Sequence, residues 1–326
     1  MTTQTQPKPN TGNIIRRFLR DYPLVPLIIL LIALVVALEI MRPGIVNERW
    51  IGNTIKFAIP LAMLAACQTL TMLTGGIDLS VGVAATVSAF VAATQLSSLG
   101  PAGAILIALV PPLLVGLANG IGVGIFRVHP LIMTLGTGLI AAGCLQVYQR
   151  TVIASGSSVP EILAWLGTGR TGGFPNSLIV FIPLAIVIIV GLRRTGFGRL
   201  LYAIGENEDA ARLAGVRTWQ VLIALYVLSG LIAGITGLIY LGLIKAPSLS
   251  LVEPRVLPSV AAAVIGGTSI FGGRGTYSGT IVGALILTVL TTMLTVMQIP
   301  EGTRRIFFGL IILAVTAIYV RITEEN

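Results

Sequence analysis

The chain has 326 residues, of which 55% are hydrophobic and only 10% are charged, and its mean hydropathy is +0.96. Soluble domains carry about 25% charged residues, and a chain of this size cannot bury so much apolar surface within itself, which excludes a soluble globular protein. The net charge of +9 comes without aromatic residues interleaved among the basic ones, which argues against nucleic acid as a partner. The composition therefore predicts an integral membrane protein.

The N-terminal tail, residues 1–23, contains four basic residues ahead of the first apolar run: Lys8, Arg16, Arg17 and Arg20. Basic segments are retained on the inner side of membrane proteins, so we expect this tail to be cytoplasmic. The run that follows has no small-x-small cleavage site. It therefore predicts a first membrane helix rather than a signal that is removed.

Ten apolar runs are candidates for membrane helices, which need about 20 residues each. They predict an all-α polytopic bundle of about ten membrane helices, with residues 24–320 as the transmembrane domain. Because the number is even, both termini, including the tail 321–326, lie on one side, and the dense arginine clusters make that side cytoplasmic. The runs are 24–41, 55–73, 79–96, 102–126, 131–147, 178–192, 221–244, a shorter 256–270, 281–297 and 306–320.

Two connecting segments are long enough to have structure of their own. The segment 149–176 is predicted on the outer, periplasmic face, where Ser158 and Pro160 indicate the start of a short helix that carries Trp165. The segment 193–220 is predicted on the inner face. There Asn207 is expected to cap a short helix, with acidic residues in its first turn and Gly215 after its end.

This second short helix has a small apolar surface formed by alanine and leucine side chains. Such a surface suits a groove on another protein. It equally suits packing against the membrane domain of the same chain. The residues alone leave both possibilities open.

Two glycine-rich breaks interrupt the apolar runs. The first contains Gly75, Gly76 and Asp78, and the second extends from Gly266 to Thr276 with a similar order of paired glycines and polar residues. An acid this close to the hydrocarbon is expected to face protein or water. Asp78 is also suited to cap the following helix by accepting a hydrogen bond from a backbone amide, and the two roles are compatible. Paired broken helices point to a translocation path.

Neither break is a phosphate-binding loop, because no Gly-Lys-Ser/Thr follows. No nucleophile elbow, carboxylate pair or metal-binding set is present in the apolar segments. Cys67 and Cys144 lie within apolar runs and are expected to act as small hydrophobic residues, and the lone His129 is expected in a loop. The sequence therefore predicts a transport subunit without catalytic residues, metal or cofactor, whose energy comes from a partner because no intramembrane proton relay is present.

Three stretches together resemble the permease subunits of bacterial ABC importers of the ribose type, and the resemblance extends nearly from the first membrane helix to the last. The stretches are LTGGIDLSVG at 73–82, TGFGR at 195–199 continuing through YAIGEN and AARLAG to 215, and GGT at 266–268 followed by GGRGT at 272–276. One departure lies in the second stretch, where family members often have Gly-Gly-Asn and this chain has Gly205-Glu206-Asn207. The added charge is expected to tune the choice of partner.

The resemblance implies an inner-membrane permease that pairs with a second permease copy or a paralogue. It also implies a periplasmic sugar-binding protein and a cytoplasmic ATPase, which would hold the ATP and Mg²⁺. The residues implied to dock the ATPase are Gly196, Phe197, Gly198, Arg199, Gly205, Glu206, Asn207, Ala210, Ala211, Arg212 and Gly215. Those implied at the translocation path or helix breaks are Thr74, Gly75, Gly76, Asp78, Ser80, Gly82, Gly266, Gly267, Thr268, Gly272, Gly273, Arg274 and Gly275.

Three alternatives remain at this point. A related permease for branched-chain amino acids or another small polar solute would share the broad fold, although the GGIDLS motif favours sugars. A stand-alone secondary carrier would need intramembrane acids that the apolar runs lack. A membrane enzyme would need an active site that the sequence does not contain.

Overall fold

The computed structural model describes residues 24–152 and 157–300, together with positions 302–304, 306–307, 309–310 and 313. Within these residues the chain is mainly helical, with one two-stranded hairpin. The helices of the first half are α1 Leu24–Met41, α2 Glu48–Met72, α3 Val81–Thr94, α4 Leu96–Ala108, α5 Val110–Gly124, α6 Pro130–Val152 and α7 Glu161–Thr168. Those of the second half are α8 Leu178–Arg194, α9 Gly196–Glu206, α10 Glu208–Leu213, α11 Thr218–Ile244, α12 Val256–Ile265 and α13 Tyr277–Val296.

Six spans are long and apolar enough to cross a membrane: α1, α2, the continuous pair α4–α5, α6, α11 and α13. A seventh is possible if α8 and α9, which meet at an angle of 67°, form one bent span. This confirms a helical membrane protein but leaves the predicted number of ten crossings unconfirmed. The predicted run 306–320 and the tails 1–23 and 321–326 lie largely or wholly outside the described residues.

Helices α3 and α12 are shorter than the apolar runs from which they were predicted. They have 14 and 10 residues, so they are about 21 and 15 Å long, whereas the hydrocarbon core is about 30 Å thick. Both adjoin a glycine-rich break: α3 begins after the first break, and α12 ends at Ile265, directly before Gly266, where the second begins. The breaks therefore make these helices shorter than the sequence predicts.

Helix α11 forms the centre of the bundle and packs against α2, α3, α5 and α7. Its closest neighbour is α5, on which Gly116, Gly120 and Gly124 form a stripe along one face. Tyr226 and Ile223 of α11 approach this stripe so closely that a Cβ on Gly116 or Gly120 would overlap their backbone atoms. Small residues spaced by four allow membrane helices to pack at this distance.

The outer surface of the bundle is apolar where lipid would contact it. Helix α6 exposes five large side chains, with relative exposures from 51% to 74%: Ile132, Leu135, Leu139, Ile140 and Val147. Helix α1 is only 6% buried over its most apolar window, whereas α2 is 83% buried. An apolar surface of this extent is stable in lipid but not in water. Helices α1 and α6 thus face lipid, and α2 and α11 form the interior.

The segment 157–177 contains α7 and the hairpin formed by β1 Arg170–Thr171 and β2 Phe174–Pro175. The predicted short helix is confirmed, but the proposed cap at Ser158 is wrong. Pro160 takes the N-cap position without a side-chain hydrogen bond, and the Ser158 amide instead donates to the carbonyl of Ala93 at 3.1 Å. This bond holds the segment to the end of α3. Trp165 remains 47% exposed.

Candidate functional site

The two glycine-rich breaks, which are about 200 positions apart in the chain, contact each other directly. The Gly273 amide of the second break donates to the carbonyl of Leu73, at the end of α2, at 3.0 Å. Gly75 and Gly272 lie against one another at the same place and have φ angles of +77° and +96°, which other residues rarely adopt. The breaks therefore form one junction between the first and second halves of the chain.

Helix α9, in the segment predicted to dock the ATPase, lies against this junction. Its Thr195 caps the helix by accepting a hydrogen bond from the Gly198 amide at 3.3 Å. At its other end Gly205 packs onto the Leu73 carbonyl and the Gly273 amide, leaving no room for a Cβ. Tyr202 also donates its hydroxyl to the carbonyl of Gly275 at 2.8 Å. One helix thus contacts both breaks at once.

Helix α10 follows directly and is capped as predicted. The Asn207 side chain accepts a hydrogen bond from the Ala210 amide at 2.9 Å, and Gly215, after the helix, has a φ angle of +87°. Glu208 forms an ion pair of 2.7 Å with Arg127 in the loop between α5 and α6. A second pair joins Asp209 to Arg212 within the helix at 2.8 Å.

The burial of this short helix shows that one side packs against the membrane domain of its own chain and that another side is uncovered. Ala211 is buried against the membrane domain of the same chain, with a relative exposure of 7%. Ala210 and Ala214 are exposed, and Leu213 is 90% exposed. An apolar surface therefore remains uncovered on the side of α10 that faces away from the bundle.

Asp78 lies in the interior, with a relative exposure of 1%, and forms no ion pair with any residue that the structure describes. One carboxylate oxygen, Oδ1, accepts hydrogen bonds from the Ser80 amide at 3.0 Å and the Ser80 hydroxyl at 2.6 Å. The other, Oδ2, accepts from the Ser229 hydroxyl of α11 at 3.0 Å. The predicted hydrogen bond from the Ser80 amide is present, but Ser80 and not Asp78 occupies the N-cap position of α3. The Ser229 contact joins Asp78 to the central helix.

Side chains from three further helices extend this polar cluster. Gln68 of α2 donates to the Asp78 carbonyl at 2.7 Å. Asn119 of α5 donates to the Ser80 hydroxyl at 2.8 Å and accepts from Thr137 of α6 at 2.6 Å. Sequence reasoning missed these residues and Ser229. The available signal was that each is a polar residue within an otherwise apolar helix, which membrane proteins tolerate only where it faces protein or water.

The remaining predicted residues of the path occupy different places. Thr74 donates to the Thr71 carbonyl at 2.9 Å, and Gly82 lies apart from the junction, beside Glu253 and Val256. Thr268 is within 3.5 Å of Thr280, which also bonds to Thr69 of α2 at 2.7 Å.

The other predicted residues also lie in different places. Gly76 faces Tyr226 and Pro130, and Gly266 packs on the Gly279–Thr280 backbone. Gly267 has open space around it, and Arg274 is exposed. Of the predicted docking residues, Gly198 packs against the end of α8, whereas Arg199 and Glu206 reach the surface or its edge.

The chain is a polytopic helical bundle in which two broken helices contact each other at the junction of their breaks, and the surface helix α9 packs on this junction. This arrangement is that of a membrane transport protein. A protein-family model described as "Branched-chain amino acid transport system / permease component" matches residues 50–316, and the chain belongs to this family. It is accordingly a transport subunit and not itself an enzyme. The comparison with solved structures gave no significant match.

Curated relatives match over most of their length. The ribose import permease of Bacillus subtilis is 32% identical over 87% of this chain and 88% of its own. The fructose import permease of Rhizobium meliloti is 33% identical over 93% of this chain and 87% of its own. The galactofuranose transporter permease of Escherichia coli is 33% identical over 89% of this chain and 86% of its own. The resemblance to ribose-type permeases predicted from the three motifs is confirmed.

Proposed function

We propose that this chain is the membrane permease of an ATP-driven importer for a monosaccharide or a related polyol. The observation that carries this assignment is the similarity, over nearly nine-tenths of the chain, to permeases named for ribose, fructose and galactofuranose. Among the buried residues that the structure describes, Asp78 is the only acid, and it accepts hydrogen bonds from two serines. A pathway driven by protons would use a chain of such acids, so this agrees with a pathway that is not driven by protons.

The partners follow from this function. An ATPase, which would hold the ATP and Mg²⁺, would bind the exposed side of α10, and a binding protein would deliver the solute at the opposite end of the bundle. A second permease subunit, identical or paralogous, would complete the pathway. In this arrangement α9, α10 and the break junction lie at the cytoplasmic side of a bacterial inner membrane, with both termini on that side.

The coupling step would use the contacts of α9. If the ATPase moves α10, α9 would move with it, because only Asn207 separates the two helices in the chain. Because Gly205 touches the backbone of both breaks, displacement of α9 requires the two broken helices to shift with it. Packed interfaces of this kind switch between discrete arrangements rather than deforming continuously. The access to the pathway would change as the joint rearranges.

The Asp78 cluster would hold one group of helices in fixed relative positions during this movement. Its hydrogen bonds join α2, the first break, α5, α6 and α11 in one connected set. Such a fully satisfied buried network fixes the relative positions of the elements that contribute to it. We therefore assign these helices to one body, against which the second break and α12 would move.

Purification of the tagged chain from its own host, followed by transport in proteoliposomes, tests the assignment. We expect an ABC-type ATPase and a solute-binding protein to co-purify after mild cross-linking. The reconstituted complex should import labelled D-ribose, D-fructose or D-galactose only when ATP is present on the side of the membrane that carries the ATPase. Import by the purified chain alone, or import of L-leucine in place of the sugars, would contradict the proposal.

A further inference from the structure

A cavity of about 220 Å³ lies between α2, α11, α12 and α13, and it contains none of the residues discussed so far. Helix α2 runs from this cavity, at Phe57 and Leu61, to the break junction that follows its end at Met72. Helix α13 runs the opposite way, from the break towards the cavity. The cavity therefore lies at the end of the bundle away from α9 and α10, where the delivered solute would arrive.

One wall of the cavity is a ladder of four threonines on α13: Thr288, Thr291, Thr292 and Thr295. Their spacing of three and four residues places them on a single face of the helix. From first to last they extend over about 10 Å of helix length. Thr288, Thr291 and Thr292 are partly exposed and Thr295 is exposed, whereas the buried residues of α13 are mostly apolar.

The hydroxyl groups of this ladder present acceptors to the cavity. Each one donates its hydrogen to the carbonyl four residues earlier in α13, at distances between 2.7 and 3.1 Å. A hydroxyl has one hydrogen and two acceptor lone pairs, so a threonine bonded in this way offers a ligand only its oxygen lone pairs. The wall is thus suited to a ligand that carries several O–H donors.

Donors come from the other walls. Arg255, directly before α12, is exposed and is one of the residues that line the cavity, and a guanidinium group can only donate. Tyr240 of α11 is 6% exposed and also lines the cavity, and its hydroxyl has no hydrogen-bond partner among the described residues. A buried phenol usually has such a partner. The Tyr240 hydroxyl is therefore available to a ligand.

The remaining walls are apolar, with Phe57, Leu61, Pro258 and Leu287. Small-ligand sites generally combine an apolar lining with a few convergent polar groups. The volume is below the roughly 300–1,000 Å³ of pockets that hold drug-sized molecules, which limits the ligand to a small one. A sugar ring, with C–H faces and hydroxyl groups around its edge, has this combination of surfaces.

We propose that this cavity is the entry site where the permease receives a polyhydroxylated solute, held by the threonine ladder, Arg255 and Tyr240. The inference rests on the proposed function, since it assumes that the solute is a sugar or polyol. An amino acid would pair its carboxylate with Arg255, but its donors are concentrated at one ammonium group. Among the residues that the structure describes, no acidic one lines the cavity to neutralise that ammonium, and a ladder about 10 Å long suits donors distributed along a molecule.

The test measures uptake of labelled D-ribose, D-fructose and D-galactose, with L-leucine in parallel, in proteoliposomes that contain the permease, its ATPase and its binding protein. The variants are Thr291→Val and Thr292→Val, which keep side-chain shape but remove the hydroxyl. One neutral hydrogen bond contributes roughly 0.5–1.5 kcal/mol, so we expect each variant to lower sugar uptake roughly 2- to 10-fold. Stimulation of ATP hydrolysis by the sugar-loaded binding protein should persist, because the ATPase contacts lie at the other end of the bundle.

Two controls separate loss of the hydroxyl from loss of packing. Thr291→Ser keeps the hydroxyl and should retain most of the uptake. Thr236→Val removes a hydroxyl of the same kind, bonded to the Ile232 carbonyl of α11 but outside the cavity, and should transport like the unaltered chain.

The outcomes distinguish the site from the function. Sugar uptake that is unchanged in both valine variants, or that falls equally in Thr291→Ser and Thr236→Val, overturns the entry site while leaving the proposed function in place. An unaltered complex that imports L-leucine, or none of the three sugars, overturns the proposed function and the entry site with it.

Discussion

Gly205 of α9 packs against the backbone carbonyl of Leu73, the residue directly after α2. The same carbonyl accepts the hydrogen bond from the Gly273 amide, so the three residues meet at one point. The Leu73 carbonyl is thus shared between the second break and the surface helix. Any motion of α9 towards or away from the bundle acts on this hydrogen bond directly.

A methyl group at Gly205 should therefore impair transport. Gly205→Ala would place a Cβ onto the Leu73 carbonyl, and overpacking of this kind typically costs about 1–3 kcal/mol. If this cost falls on the coupling step, we expect ATP-dependent uptake to fall about fivefold or more while the permease remains in the membrane. Gly191→Ala is the matched control, because a Cβ there meets nothing within 4 Å. Normal uptake by Gly205→Ala would remove the junction from the coupling mechanism.

The ion pair between Arg127 and Glu208 should contribute little to stability. Its side chains are 44% and 38% exposed, and exposed pairs contribute about 0.2–1 kcal/mol. Glu208→Gln should lower the thermal unfolding temperature in detergent by only a few degrees. The charge reversal Glu208→Arg should reduce uptake more, because it places two cations together, and Arg127→Glu in the same chain should restore part of it. A double variant no better than the single one would show that the pair does not position α10.

Local features of the site could be predicted from the sequence, because they depend on a few adjacent residues. The Asn207 cap with Glu208 and Asp209 in the first turn is such a feature, and so are the ends of helices at paired glycines. The lengths of α3 and α12 were overestimated because apolar residues such as Leu79 and Ile270 continue past the ends of the helices into the breaks. Hydropathy does not distinguish a buried break from a helix.

Contacts between distant segments could not be predicted in this way. Nothing in either break indicates that Gly273 bonds to Leu73 or that Gly205 covers both. Ser229 is a polar residue in an apolar helix, but a serine in a membrane helix usually bonds to its own backbone, so the sequence does not indicate its partner. Its role follows only from the position of α11 beside the first break. The helical membrane fold and the glycine-rich breaks could therefore be predicted from the sequence, but the junction at which the breaks and α9 meet could not.

Asp78 should tolerate asparagine better than alanine. Asp78→Ala removes the acceptor for three hydrogen bonds, which leaves the buried Ser229 hydroxyl without a partner and the buried Ser80 hydroxyl without an acceptor for its hydrogen. Each unsatisfied group costs about 1–3 kcal/mol, so we expect strongly reduced stability and uptake. Asp78→Asn keeps Oδ1 as an acceptor, and its amide can donate to a rotated Ser229 hydroxyl. Thermal unfolding of the purified variants would show the order, and equal stability of both would contradict the network described for this residue.

The glycine stripe of α5 gives a prediction about folding that is independent of transport. Gly120→Ala would place a Cβ against the backbone of Ile223, so α5 and α11 would have to separate and lose contact along their length. Gly136→Ala and Gly143→Ala, on α6, should be neutral because a Cβ at either position meets nothing within 4 Å. We expect Gly120→Ala to reduce the free energy of unfolding by about 1–3 kcal/mol, and so to lower the unfolding temperature and the yield of folded protein. The two α6 variants should match the unaltered chain. The comparison uses size-exclusion profiles and thermal unfolding in one detergent. A Gly120→Ala variant as stable as the two α6 variants would mean that the helices do not pack through this stripe.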